Sequence, residues 1–108
     1  MTDVRLRPLA EADLVERSEC YRSEGGDSLG ERFLDAAIEA LRDIERMPRA
    51  GSPRIGEICG IDSLPSRRLA RFPCGWFYFE RGDWVDVVSL LAYAQGLETI
   101  LGDLNQDR

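Results

Sequence analysis

Histidine and lysine are both absent from this chain of 108 residues. The lack of histidine excludes a Ser-His-Asp triad, a Cys-His pair, a histidine metal site and a histidine general base. The lack of lysine means that all 14 basic residues are arginines. Arginine stays charged and suits bidentate pairing with carboxylates or phosphates, but it offers no amine for proton transfer. The chain is therefore better equipped to bind charged groups than to move protons.

Cysteine is scarce, and the three cysteines are not spaced as metal ligands. Cys20, Cys59 and Cys74 form no C-x-x-C pair, whereas metal sites need closely paired ligands. Their odd number also argues against a disulfide framework. We expect reduced, partly buried thiols and neither a metal nor another cofactor.

Long apolar runs are missing as well. The longest, Val85–Leu91, is interrupted by Asp86 and Ser89 and is far too short to span a bilayer. The first residues, Met1–Arg5, contain no apolar signal region behind a basic flank. These absences predict a soluble, cytoplasmic protein that makes no membrane contact.

The composition is that of one globular domain covering residues 1–108, with 44% hydrophobic and 31% charged residues. The net charge of −6 argues against direct DNA binding, because phosphate contacts need a positive field. The charge is uneven, however. Residues 51–81 contain 5 arginines and 3 acidic residues, while the segments on both sides are negative. The middle of the chain is thus a local basic island.

The pattern of apolar residues predicts an α+β domain. The second helix is the best marked, because its apolar residues recur at helical spacing: Leu29, Phe33, Ala37, Ala40, Leu41, Ile44 and Met47. We predict strands at 4–7, 67–72, 76–80 and 84–91, helices at 9–22 and 29–47, and a short helix at 95–104. Ser23–Gly26 ends the first helix, and Arg81–Asp83 is a hairpin turn. This order predicts a two-helix hairpin packed on a three- to four-stranded antiparallel sheet.

Three segments carry motifs that occur together in one protein family. Pro8–Leu14 is similar to P-x-A-x-x-D-L and is followed by Tyr21; Gly30–Gly51 is similar to R-F-x…L…P-x-x-G. Arg71–Tyr78 is similar to F-P-Y-x-I-x-Y. In these segments the chain resembles the ParE toxins of bacterial type II toxin–antitoxin modules, which belong to the ParE/RelE superfamily and include plasmid stabilisation proteins.

A fourth segment departs from the pattern of the family. Family members usually end the last strand with V-L-H-G-x-R-D, but here Ala92 stands in the place of the histidine. Gln95 replaces the arginine and Gly96 the aspartate. The apolar frame is kept and the polar groups are not, which bears on any toxic activity that depends on them.

The resemblance implies a toxin that binds its target without cofactor or metal and is neutralised by a small ParD-like antitoxin. DNA gyrase is the usual target of ParE, and a homodimer or a heterotetramer with the antitoxin is the implied assembly. Two alternatives stay open. The RelE branch of the superfamily cuts mRNA on the ribosome, and a degenerate member would keep only protein binding.

Both kinds of function have candidate residues. For RNA cleavage the weak candidates are Arg67, Arg71, Tyr78 and Arg81, although Tyr78 lies in an aromatic run that favours a core position. For partner binding we predict an aromatic surface flanked by arginines, formed by Trp76, Phe77, Phe79, Trp84, Arg71 and Arg81. Asp13 and Arg17, four residues apart, are expected to form an intrahelical ion pair.

Overall fold

The computed structural model describes residues 2–51 and 65–92. Its elements, in chain order, are β1 (Asp3–Leu6), α1 (Pro8–Arg46), a 3-10 turn (Pro48–Ala50), β2 (Ser66–Arg68), β3 (Cys74–Glu80) and β4 (Trp84–Ala92). The predicted α+β class is confirmed. The predicted helix at 95–104 lies outside the described residues, as do Cys59, Gln95 and Gly96.

The helical part is one element of 39 residues that begins with a proline and bends at Gly26. Pro8 suits the first helical turn, where its missing N–H would have no partner in any case. Gly26 has φ 84° and ψ −178°, a conformation open to glycine alone. The rings of Tyr21 and Phe33 lie 4.9 Å apart, although twelve residues along a straight helix span about 18 Å. The element therefore doubles back at Gly26.

The predicted helix boundary at Ser23–Gly26 coincides with this bend. The break is shorter than predicted, because only Gly26 leaves the helical conformation. The absence of a side chain at Gly30 brings the two parts together, because a Cβ there would lie 3.2 Å from Cβ of Arg22. The chain thus reverses at Gly26 without a longer loop.

The four strands form one sheet in the order β1-β4-β3-β2. β3 is antiparallel to both of its neighbours, as expected of strands joined by short connections. β1 is parallel to β4, with Val4 opposite Val85 and Leu6 opposite Val87. The prediction of an all-antiparallel sheet was therefore wrong. β1 and β4 are not joined by a tight turn, because α1, β2 and β3 lie between them in the sequence. The two strands can therefore pair in parallel.

The predicted ion pair between Asp13 and Arg17 is replaced by contacts to β4. Because β1 pairs with β4 only as far as Val87, the next part of that edge needs other partners. The Asp13 carboxylate accepts hydrogen bonds from the Leu90 N–H (3.2 Å) and the Ser89 hydroxyl (2.7 Å). Arg17 Nε donates to the Leu90 carbonyl at 3.4 Å. Side chains of α1 thus close the edge of β4 where β1 ends.

The core lies between α1 and one face of the sheet. Its fully buried members come from both layers and from the β2–β3 connection: Ala10, Phe33, Ala37, Ile44, Leu69, Cys74, Trp76, Tyr78, Val85, Val87 and Leu90. The Trp76 indole N–H donates to the carbonyl of Ala37 at 2.9 Å, and the Tyr78 hydroxyl donates to that of Pro48 at 2.6 Å. Each buried polar group of these two rings is therefore satisfied.

β2 is shorter than the predicted strand at 67–72. Arg71 has φ 70°, in the left-handed region, and this reverses the chain before β3. Phe72 is buried against Tyr21 and Phe33, with ring centroids 5.0 and 5.3 Å away. Among residues 2–51 and 65–92, no helix has the length and apolar character that a membrane crossing requires.

Candidate protein-binding face

The sheet face that points away from α1 carries arginines and aromatic rings at the end where β1, β4 and β3 lie side by side. Val4 and Leu6 of β1 pack against the core, so Arg5 between them points to the other face. The same alternation places Phe79 and Trp84 there. We call this surface the arginine–aromatic face; it consists of Arg5, Arg7, Phe79, Arg81, Trp84 and Asp86.

A buried carboxylate organises this face. The Asp86 side chain is only 9% exposed and binds two arginines. Arg7 donates from Nε and Nη2 to the two carboxylate oxygens at 2.9 and 2.8 Å. Arg81 Nη2 donates to Oδ2 at 3.1 Å. A bidentate pair of this kind fixes the guanidinium plane as well as the charge.

The pKa values at this face follow from the same contacts. Hydrogen bonds from Arg7 lower the pKa of Asp86 below its usual value, against the opposing effect of burial, and the contact with Arg81 lowers it further. The hydrogen bond to Asp86 raises the pKa of Arg7. Asp86 therefore stays ionised at neutral pH and holds both arginines in place.

Two arginines also lie over aromatic rings. Arg5 Cζ is 4.9 Å from the centroid of the Trp84 ring, and Arg81 Cζ is 4.7 Å from that of Phe79. Trp84 and Phe79 are half-buried, so part of each ring remains accessible. Half-buried aromatic rings beside immobilised arginines are typical of the energetic centres of protein interfaces.

The structure brings together three of the six residues predicted to bind a partner, namely Phe79, Arg81 and Trp84. Trp76 and Phe77 are fully buried and offer no surface. Arg71 lies in the connection between β2 and β3, apart from the other three. The partner-binding hypothesis is therefore restricted to the accessible residues of the arginine–aromatic face.

Sequence reasoning missed Arg5, Arg7 and Asp86. The charged positions in Val4–Arg7 alternate with apolar ones, so the residues that face away from the core could be predicted. What could not be predicted is that β1 lies next to β4, which brings Arg7 to Asp86 across a separation of 79 residues.

The weak candidates for RNA cleavage do not form one cluster. Tyr78 is fully buried, and burial raises the pKa of its hydroxyl. Arg67 Nη2 binds Asp43 at 3.3 Å and pairs in the sheet with Trp76. Arg81 follows the end of β3, roughly 17 Å beyond Trp76. Tyr78, Arg67 and Arg81 are therefore engaged in packing or ion pairs, and Arg81 lies apart from the other two.

A solved structure described as the chromosomal ParDE toxin–antitoxin system from P. aeruginosa shares this architecture. One of its chains matches with a TM-score of 0.73 at 16% sequence identity, over 85% of this chain and 96% of that chain. The fold is ParE-like. No protein-family model matches the sequence, and no curated protein matches it either.

The ParE-like motifs serve the fold in this chain. Pro8 opens α1, and Asp13 secures the edge of β4. Tyr21 packs on Phe33, and the motif at Arg71–Tyr78 supplies the left-handed turn and most of β3. The residues that carry the resemblance are therefore mainly structural. Whether the arginine–aromatic face binds a partner depends on the chemistry of that face itself.

Proposed function

We propose that this chain is the toxin component of a type II toxin–antitoxin module and that a small ParD-like antitoxin neutralises it. The observation that carries this proposal is the ParE-like fold, matched over 85% of the chain to a chain of a ParDE system. The three sequence motifs point the same way.

The toxin acts by binding its target, with DNA gyrase as the target expected from ParE proteins. Two features support binding over catalysis. The tyrosine and two of the three arginines that RNA cleavage would use are held in packing or ion pairs. The arginine–aromatic face, in contrast, combines fixed cations with accessible rings, which suits a protein partner.

The antitoxin occupies the arginine–aromatic face in this proposal. Arg5 pairs with Asp3 at 2.7 Å and lies over Trp84, and Arg7 pairs with Asp86. Their side chains are still 64% and 45% exposed, so carboxylates of a partner can reach them. Little side-chain freedom is lost when such pre-oriented arginines bind, which favours tight association.

Timed induction of the chain in a bacterial host, with DNA and protein synthesis followed by pulse labelling, tests the function. We expect DNA synthesis to fall first, and co-expression of a cognate ParD-like antitoxin to prevent the fall. An earlier fall in translation would indicate the mRNA endonuclease branch instead. Continued growth with folded protein present would indicate a degenerate, non-toxic member.

A matched pair of variants makes the result specific to the face. Trp84→Ser removes the ring beneath Arg5, whereas Val15→Ser removes an apolar side chain that is 56% exposed on the outer side of α1. We expect the co-expressed antitoxin to neutralise Val15→Ser fully and Trp84→Ser only poorly. Equal neutralisation of both variants would remove the arginine–aromatic face from the proposal.

A further inference from the structure

A groove separates α1 from the connection between β2 and β3, on the helix side of the sheet. Its volume is about 660 Å³, within the range of sites that take ligand or peptide side chains. Its apolar lining includes Leu29, Ala36, Ala70 and Phe72. Phe72 is 8% exposed, and Leu29 and Ala36 are half-buried. These lining residues are therefore held in place at the edge of the core.

Two arginines, Arg32 and Arg71, line the groove, and both are exposed. Neither side chain forms a hydrogen bond or ion pair with any residue of the described ranges 2–51 and 65–92. Glu39 on the helix side is instead neutralised by Arg42 and Arg46, each at 3.7 Å. Asp35 is the one acidic group of the lining that is equally unpaired within those ranges. The unpaired charge in the groove is thus net positive.

The backbone at Arg71 supports a binding role. An arginine at φ 70° is sterically strained relative to glycine, yet glycine is not used here. Residues 65–72 contain three arginines and no acidic residue in a chain whose net charge is −6. A strained residue with an exposed, unpaired cation beside an apolar groove is typical of a recognition site.

We propose that this groove binds an acidic segment of a partner protein. The segment inserts an aliphatic or aromatic side chain between Leu29, Ala36 and Phe72, and it places a carboxylate against Arg71 and Arg32. Charge complementarity selects this occupant, because a basic segment would be repelled and a neutral one would leave both guanidinium groups unpaired. The groove lies on the helix side of the sheet, so it can be filled together with the arginine–aromatic face. The proposal does not depend on whether the chain is a toxin.

The test uses a short fluorescein-labelled peptide of alternating acidic and Leu or Phe residues, and a matched peptide with Asn and Gln in place of Asp and Glu. Binding to the whole purified chain is followed by fluorescence anisotropy. We expect the acidic peptide to bind and the amide peptide to bind at least tenfold more weakly. Arg71→Gln and Arg32→Gln should each reduce the affinity for the acidic peptide about tenfold, the usual effect of losing one charge-assisted contact.

Two further variants make the outcome decisive. Ala70→Trp fills the groove from an exposed position and should abolish binding, whereas Arg49→Gln removes the same charge far from the groove and should leave affinity unchanged. Amide NMR shifts on titration should be confined to the two walls of the groove. The proposal is overturned by no binding, by equal loss in Arg49→Gln and Arg71→Gln, or by self-association of the chain that buries the groove. Circular dichroism of each variant excludes misfolding as the cause.

Discussion

At the scale of single residues, Asp86 and Arg71 have the least typical environments in the described part of the chain. Asp86 is a buried carboxylate whose cost of desolvation is offset by three hydrogen bonds from two arginines. Arg71 is an exposed cation in a left-handed backbone conformation. The Asp86 carboxylate is stabilised because its hydrogen-bond partners satisfy it. Arg71 is strained, and its side chain has no partner within residues 2–51 and 65–92.

The first prediction concerns Asp86 and pH. The folded state holds the pKa of this carboxyl below its unfolded value of about 3.9, so the carboxylate stabilises the fold fully above that pH. This contribution is lost as the pH falls through the lower, folded-state pKa. We expect Asp86→Asn to reduce the free energy of unfolding by about 2 kcal/mol at pH 7 and by much less in acid. Urea unfolding at a series of pH values measures both effects.

The control is Asp83→Asn, which makes the same change of charge in the exposed β3–β4 turn. It should alter the free energy of unfolding by less than about 0.5 kcal/mol at any pH. If Asp86→Asn lost as much stability in acid as at neutral pH, the ionised carboxylate would not be the stabilising species.

The second prediction separates strain from side-chain loss at Arg71. Both Arg71→Ala and Arg71→Gly remove the guanidinium group, but only glycine adopts φ 70° without steric cost. We expect Arg71→Gly to be more stable than Arg71→Ala by about 0.5–1 kcal/mol, once the greater unfolded-state entropy of glycine is subtracted. Thermal unfolding of the two variants side by side measures the difference, and a more stable Arg71→Ala would show that the turn is unstrained.

At the scale of elements, local sequence predicted what local contacts determine. The alternation at β1, the helical spacing from Leu29 onward and the turn at Arg81–Asp83 were all visible in the sequence. The parallel pairing of β1 with β4 was not visible, because it depends on how α1 folds back over the sheet. The contacts of Asp13 and Arg17 with Leu90 depend on that same pairing, since they begin where β1 ends.

The third prediction tests the bend that turns α1 back. Gly26 has φ 84° and ψ −178°, and a Cβ added there would meet no atom within 4 Å, so any effect of a side chain comes from the backbone. We expect Gly26→Ala to lower the free energy of unfolding by about 1–3 kcal/mol. Ser23→Ala, exposed in the same element, is the matched control and should be nearly neutral. Retention of full stability by Gly26→Ala would mean that the bend tolerates a side chain.

At the scale of the whole molecule, the sheet separates the core from the proposed binding face. Trp76 is fully buried, and Trp84 is half-buried under Arg5 on the opposite face. The sequence offered both tryptophans as partner-binding candidates, because an aromatic run such as Trp76–Phe79 does not reveal which of its faces meets the helix. Which face of a strand is buried depends on tertiary packing. Only the structure therefore places Trp76 in the core and Trp84 on the proposed binding face.

The fourth prediction follows from this division. Trp76→Phe removes the hydrogen bond to the Ala37 carbonyl and leaves a space in the core, so it should lower the free energy of unfolding by about 1–3 kcal/mol. Its affinity for the antitoxin should be unchanged. Trp84→Ser should have the opposite profile, with a loss of stability of no more than about 1 kcal/mol and an affinity reduced at least tenfold. Urea unfolding and titration calorimetry of both variants give the two quantities, and an undiminished affinity of Trp84→Ser would place the antitoxin elsewhere on the molecule.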